Sequence, residues 1–206
     1  VSQFFQIHTD NPQYRLIKQA ASIIENNGVV IYPTDTTYAL ACCIGNKAAI
    51  DRIRQIRQLD EKHNFTLICR DLSDLGIYAK VDTIAFRLLK TYTPGPYTFI
   101  LEATREVPRM LMHPKRRTIG LRVPNFAITQ ALLAELKVPL MTTSLIMPGQ
   151  TLPMTDPYEI RDLLEKRVDL IIDGGMGGVD VSTVVSLVND KIEVIRVGLG
   201  DPSPFQ

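Results

Sequence analysis

Cysteine is scarce in this 206-residue chain: Cys42 and Cys43 are adjacent and Cys69 stands alone. Three cysteines give no even-numbered disulfide framework and no zinc-type spacing, so no protein-held metal is expected and a reducing, cytoplasmic setting suits the chain. Histidine is as scarce, limited to His8, His63 and His113. No Ser-His-Asp or Cys-His set is evident around them, and covalent catalysis is not indicated. Charge of one sign is also missing, with 23 Lys and Arg against 22 Asp and Glu and a net charge of +1. A polyanion would therefore have to be held by a local basic patch. No apolar run approaches the roughly 18 residues of a membrane span. The opening VSQFFQIHTDNP lacks the basic start and apolar core of an export leader, so neither a membrane nor an export role is expected. Repeats, low-complexity tracts and long linkers are absent too, and one domain over residues 1–206 is the expected organisation.

What the chain does have is an alternation of short apolar runs with amphipathic segments. Asn11-Pro12 reads as a helix start, after which Leu16, Ile17, Ala20, Ile23 and Ile24 share one helical face as far as Asn27-Gly28. Residues 29–32 are a β-branched run of the kind a strand covered on both faces requires. Asn46 caps a second helix bearing Ala49, Ile53 and Ile56, whose other face is expected to expose Arg52, Arg54 and Arg57 as close positives. Short strands are expected at 65–69, 98–102, 118–123, 140–144, 170–172, 183–188 and 193–197, and helices at 82–90, 127–136 and 156–167. The pattern predicts a three-layer α/β fold around a mixed sheet, without the strict βαβ repeat of a doubly wound nucleotide-binding sheet. Proline-rich residues 147–157 read as a loop, either a lid or a plain connection.

Four of these apolar runs end in hydroxyls or an arginine. In YPTDTTYAL the strand at 29–32 gives way to Thr34, Asp35, Thr36, Thr37 and Tyr38, where an α/β sheet commonly opens its ligand crevice. The same residues are also good turn chemistry, since Asp and Thr side chains bond nearby backbone. In TIGLRVP, Thr118 and Gly120 lead to Arg122, a guanidinium able either to take a carboxylate bidentately or to pair with an internal acid. MTTSLIMPG ends its strand in Thr142, Thr143 and Ser144. DGGMGGVDVSTVV carries Ser182 and Thr183 after a glycine-rich loop that lacks the Lys-Ser/Thr of a phosphate-binding P-loop. Arg196 closes the last strand. Four such strand ends describe a polar cavity suited to a carboxylate-bearing, hydroxylated or phosphorylated ligand.

The motifs YPTDTTYAL, TPGPYTFIL, TIGLRVP, TTSLIMPG and DGGMGGVDVSTVV ending in VIRVG resemble the YrdC/YciO family in kind and order, from about Gln13 to Arg196. NFTLICRDLSDL and TSLIMPG are similar to its YciO branch, and with ten residues after Arg196 the extra C-terminal domain of longer relatives is not expected. The resemblance implies a twisted mixed sheet with flanking helices and a deep concave cavity. It implies binding of double-stranded RNA or tRNA. It further implies L-threonine, bicarbonate and ATP combining into threonylcarbamoyl adenylate and pyrophosphate, for the threonylcarbamoyladenosine modification of tRNA. ATP would be a substrate accompanied by Mg2+, with no tightly bound cofactor. Carried over by position, Thr34, Thr36, Tyr38, Arg122, Ser144 and Ser182 surround the threonine, with Arg122 on its carboxylate. Arg57, Asn64, Thr118 and Arg196 contact the nucleotide.

The sequence departs from the synthase pattern on the ATP side. The family's Lys-x-Arg is here Arg57-Gln58-Leu59, followed by a one-residue insertion before His63-Asn64; its Ser-x-Asn is Ser144-Leu145-Ile146; and a His five residues after Asn64 is Cys69. Each charge-assisted phosphate hydrogen bond removed in this way costs about 1.5–3 kcal/mol. Two function classes follow. One is a nucleotidyltransferase of threonylcarbamoyl-AMP synthase type; the other is a non-catalytic RNA-binding or ligand-sensing relative without ATP activation. The basic residues available to RNA are Arg52, Arg54, Lys115, Arg116 and Arg117, the last three alternatively a solvated loop.

Overall fold

A computed structural model describes residues 1–60 and 63–206. Ten strands form one twisted mixed sheet: β1 (Gln3–Gln6), β2 (Val30–Pro33), β3 (Tyr38–Cys43), β4 (Thr66–Ile68), β5 (Tyr97–Glu102), β6 (Thr118–Arg122), β7 (Leu140–Ser144), β8 (Leu170–Asp173), β9 (Thr183–Ser186) and β10 (Glu193–Arg196). Their order across the sheet is β1-β8-β2-β3-β7-β4-β6-β5-β9-β10. The helices are α1 (Tyr14–Glu25), α2 (Lys47–Arg57), α3 (Leu72–Tyr78), α4 (Thr83–Tyr92), α5 (Ala127–Leu136) and α6 (Pro157–Leu164).

The all-buried run of β2 is explained by helices on both its faces. Val30 and Tyr32 point into a cluster with α1 and α5, built on Ile17, Ile24, Ile128 and Leu132. Val29 and Ile31 point into the opposite cluster, with Ile50 and Ile53 of α2 and Ile160 and Leu164 of α6. Further along the sheet, α3 and α4 close the second face through Leu75, Ala85 and Leu89 against Phe99, Leu101 and Leu121. Strand parity therefore turns Leu67, Phe99, Leu121 and Met141 inward, and Thr66, Thr98, Gly120 and Thr142 to the other side, where the cavity lies.

Helix starts show which local signals won. Asn46 Oδ1 accepts from Ala49 N at 3.1 Å, the N-cap read from sequence, and Asp82, the first residue of the expected 82–90 helix, accepts at Oδ1 from Ala85 N at 2.8 Å. Asn11-Pro12 does not start α1. His8 Nδ1 accepts from the backbone N–H of Asp10 and Asn11 at 3.2 and 3.0 Å, and His8 N donates to Gln13 Oε1, so residues 8–13 make their own turn. Helix α1 then begins at Tyr14 without a side-chain cap.

The expected chain of exposed arginines on α2 is also corrected. At about 100° per residue, Arg52 stands far around the helix from Arg54 and Arg57. Arg52 donates to Asp169 Oδ2 at 2.7 Å and to Arg167 O at 3.1 Å. Arg54 is half-buried over the Phe65 ring, 5.3 Å from its centroid, and Arg57 turns into the cavity. Strands β1 and β3 and helix α3 were not anticipated, and α6 stops at Leu164, short of residue 167. Residues 147–157 are pinned as a connection: Met154 N donates to Leu145 O at 3.0 Å and Gly177 N to Thr155 O at 2.8 Å.

Candidate functional site

A cavity of about 710 Å³ opens on the helix-free part of the sheet. Its floor is a row in register across five strands, Thr142, Thr66, Gly120, Ile100 and Ser186. Gly120 keeps this floor low, since a Cβ there would stand 3.1 Å from Thr66 Oγ1 and 3.2 Å from Thr98 Cγ2. Two residues along β6, Arg122 comes up on the same face and is only 7% exposed. Its Nη1 donates to Thr36 Oγ1 at 2.9 Å, its Nη2 pairs with Asp35 Oδ1, and its buried Nε has no partner. Burial lowers its pKa and Asp35 works against that shift. Of the two roles open to Arg122 from its sequence, the internal ion pair is present, on a side chain that also lines the cavity.

Around Arg122 the structure gathers Thr34, Ser144, Ser182, Thr118, Asn64, Arg57 and Arg196. Thr34 does so while serving its turn: Thr34 Oγ1 donates to Thr37 O at 2.7 Å and accepts from Thr36 N and Thr37 N at 3.1 Å. Ser182 Oγ lies 2.7 Å from Thr98 Oγ1, and Arg196 folds over it, Nη2 donating to Ser182 O at 2.8 Å. Partial burial and then the charge of Arg122 lower the pKa of Arg196. Two cations sensing each other across one cavity favour an anion between them. On the next wall, Arg57 Nη1 donates to Thr143 Oγ1 at 2.6 Å and Nε to Ile146 O at 2.8 Å.

Thr36 and Tyr38 do not line this cavity. Thr36 supports Arg122 from behind. Tyr38 is fully buried, its hydroxyl donating to Gly175 O at 2.6 Å and accepting from Gly174 N at 3.1 Å, and burial pushes its pKa up to about 12. Of the basic residues named from sequence, Arg52 and Arg54 are engaged within the fold, whereas Lys115, Arg116 and Arg117 are exposed and Arg116 lines the cavity. His113 Nδ1 accepts from Lys115 N and Arg116 N, shaping that basic loop. On the departing ATP side, Ile146 lines the cavity while Leu59 packs against the core. Thr66, Thr98, His113 and Lys191 line the cavity and were missed. For the two threonines the signal was present, since Thr66/Ile68 and Thr98/Ile100 repeat at the strand period of two.

Among the described residues no helix is long and apolar enough to cross a membrane, and no group of three or more His, Cys, Asp or Glu is placed to hold a metal. The three cysteines are free. Residues 22–198 match the profile of Sua5, YciO and YrdC proteins, whose description reads telomere recombination. The chain belongs to the Sua5/YciO/YrdC family. It is 56% identical to YciO of Escherichia coli over the whole of both chains, and the crystal structure of that protein superposes with a TM-score of 0.96 over 100% of each. It is 28% identical to the threonylcarbamoyl-AMP synthase of Bacillus subtilis, across 94% of this chain and 55% of the longer synthase. P. abyssi Sua5, solved in complex with L-threonine, has the same fold: TM-score 0.87 at 24% identity, covering 96% of this chain and 58% of Sua5. The family is therefore that of threonylcarbamoyl-AMP synthase homologues.

Proposed function

We propose that this cavity binds L-threonine beside a nucleotide and catalyses the synthase-type reaction, in which L-threonine, bicarbonate and ATP give threonylcarbamoyl adenylate, pyrophosphate and water. The observation that carries the reading is Arg122, buried on the cavity floor with N–H groups to spare, among Thr34, Ser144 and Ser182. A guanidinium so placed orients a carboxylate, and the surrounding hydroxyls suit a small hydroxylated amino acid. The threonine amine condenses with bicarbonate, releasing water, to give a carbamate, whose oxygen then attacks the α-phosphorus of ATP as pyrophosphate leaves. No protein nucleophile is needed, so rate comes from positioning and from charge stabilisation by Arg57, Arg196 and the hydroxyls. Mg2+ would arrive with the triphosphate and be held by its oxygens and water, as Mg2+ usually is with nucleotides. The test is L-threonine- and bicarbonate-dependent release of pyrophosphate from ATP, with Arg122→Ala as control. Activity is expected from the wild type and not from the variant.

A second reading has a specific motive. Ile146 presents an aliphatic side chain to the wall where a phosphate contact is expected, and Leu59 is turned to the core. In this reading the chain binds RNA at Lys115, Arg116 and Arg117 without activating ATP. Restoring polarity with Leu59→Arg and Ile146→Asn separates the two. Activity only in the repaired protein favours the second reading, and activity in both favours the first.

A further inference from the structure

Arg122 is held in a way that the carboxylate-binding reading does not by itself explain. Its two outer nitrogens are engaged by consecutive residues of one turn, Nη1 by Thr36 Oγ1 and Nη2 by Asp35 Oδ1. Asp35 is fixed in turn, its second oxygen accepting from Asn125 N at 3.0 Å. Asn125 lies three residues beyond Arg122 on the same chain segment, so the carboxylate ties the 34–37 turn to the end of β6. The side chains of both members of the pair are close to nine-tenths buried or more. A guanidinium has five N–H groups, and these two bonds leave three for a ligand, the unpartnered Nε–H among them.

The local charge balance points the same way. Arg122 and Arg196 bring two positive charges to this end of the cavity and Asp35 returns one negative, leaving a net single positive charge. With the Arg122–Asp35 pair buried and neutral and the exposed Arg196 supplying the remaining positive charge, a site of net charge +1 matches one carboxylate. Without Asp35 the same end would carry +2 and match a phosphate dianion, because unbalanced buried charge is costly and draws a counter-charge.

We propose that Asp35 is the positioning and specificity-determining residue of this cavity: it clamps the guanidinium of Arg122 so that its remaining N–H groups face the ligand, and it sets the local charge to admit a monoanionic carboxylate over a phosphate. The inference rests on the amino-acid reading above and is more particular than it. Asp35 touches no ligand and acts through Arg122.

Wild type, Asp35→Asn and Asp35→Glu are titrated calorimetrically with L-threonine and, separately, with inorganic phosphate. The Nε–H resonance of Arg122 is followed in each protein as a direct report on the clamp. Asp35→Asn is expected to lose L-threonine affinity by about tenfold or more, to gain measurable phosphate binding, and to broaden the Arg122 Nε–H by exchange with water. Asp35→Glu, keeping the charge, is expected to exclude phosphate and recover part of the L-threonine binding. An Asp35→Asn protein that retains L-threonine affinity, gains no phosphate binding and keeps a sharp Arg122 signal overturns the inference. A wild type that binds no L-threonine overturns the amino-acid reading instead, while the Arg122 signal and phosphate binding still judge the clamp. Should Asp35→Asn not fold, the folded Asp35→Glu protein decides: an Arg122 signal identical to wild type, with unchanged affinities despite the longer side chain, counts against the clamp.

Discussion

His63 lies among groups that oppose its charge. Its Nε2 is 3.2 Å from Thr143 Oγ1, and its ring meets Phe65 edge-on at 5.2 Å. Burial first, and the charge of Arg57 second, lower its pKa to about 4, with Asp60 pulling the other way. In the unfolded chain a histidine titrates near 6.5. Above about pH 6.5 the stabilisation from keeping this ring neutral is fully present. As pH falls from there to about 4, the unfolded chain takes up a proton that the folded one refuses, and that stability is lost. Urea unfolding should show wild-type stability dropping over this window, with the part due to His63 on the order of 1–2 kcal/mol because the ring is partly exposed. His63→Gln should have a flatter profile, and parallel curves for the two proteins would count against this account. Among single residues, Arg122 was legible because it interrupts an apolar strand. The role of Asp35 was not, because within the sequence its carboxylate serves a turn as readily as a distant arginine.

At the scale of elements, local chemistry was readable wherever it acted over a few residues. Asn46 caps α2 as read from the sequence, and Asp82 caps α4 at the expected helix start. Asn46→Ala should cost about 1 kcal/mol of stability, measured by denaturant midpoint. Its effect on ligand affinity should be small, since the cap lies at the opposite end of α2 from Arg57. The reading failed where the outcome depended on partners far away in sequence. Asn11 is a good capping residue, yet the His8 ring took its backbone N–H. Strand β1 is four residues long and is held by parallel pairing with β8, more than 160 residues later. The threonines of β4 and β5 alternate correctly, but only the register across β7, β4, β6 and β5 brings them to one face of the cavity.

For the whole molecule, the near-neutral total of +1 hides a local arrangement. Lys115, Arg116 and Arg117 project from the loop between β5 and β6, and Arg116 reaches the cavity mouth. If RNA is taken up there, its affinity should fall steeply with salt, because each phosphate that is neutralised releases counterions. Replacing the three residues by alanine should weaken binding and reduce the slope of log affinity against log salt by roughly one for each phosphate no longer neutralised. An unchanged slope would place the RNA elsewhere. The architecture as a whole was legible as a mixed α/β sheet because fully apolar and alternating runs follow one another along the chain. The position of the cavity depended on which half of the sheet the helices leave open.

The central claim is that Arg122 and the hydroxyls around it hold L-threonine for reaction with ATP. It is tested most directly by mass-spectrometric detection of threonylcarbamoyl adenylate after purified protein is mixed with L-threonine, bicarbonate and ATP. The account predicts that adenylate in the wild type, dependent on L-threonine and abolished in Arg122→Ala. Its absence from the wild type at protein concentrations comparable with the substrates, while Leu59→Arg with Ile146→Asn produces it, would contradict the claim.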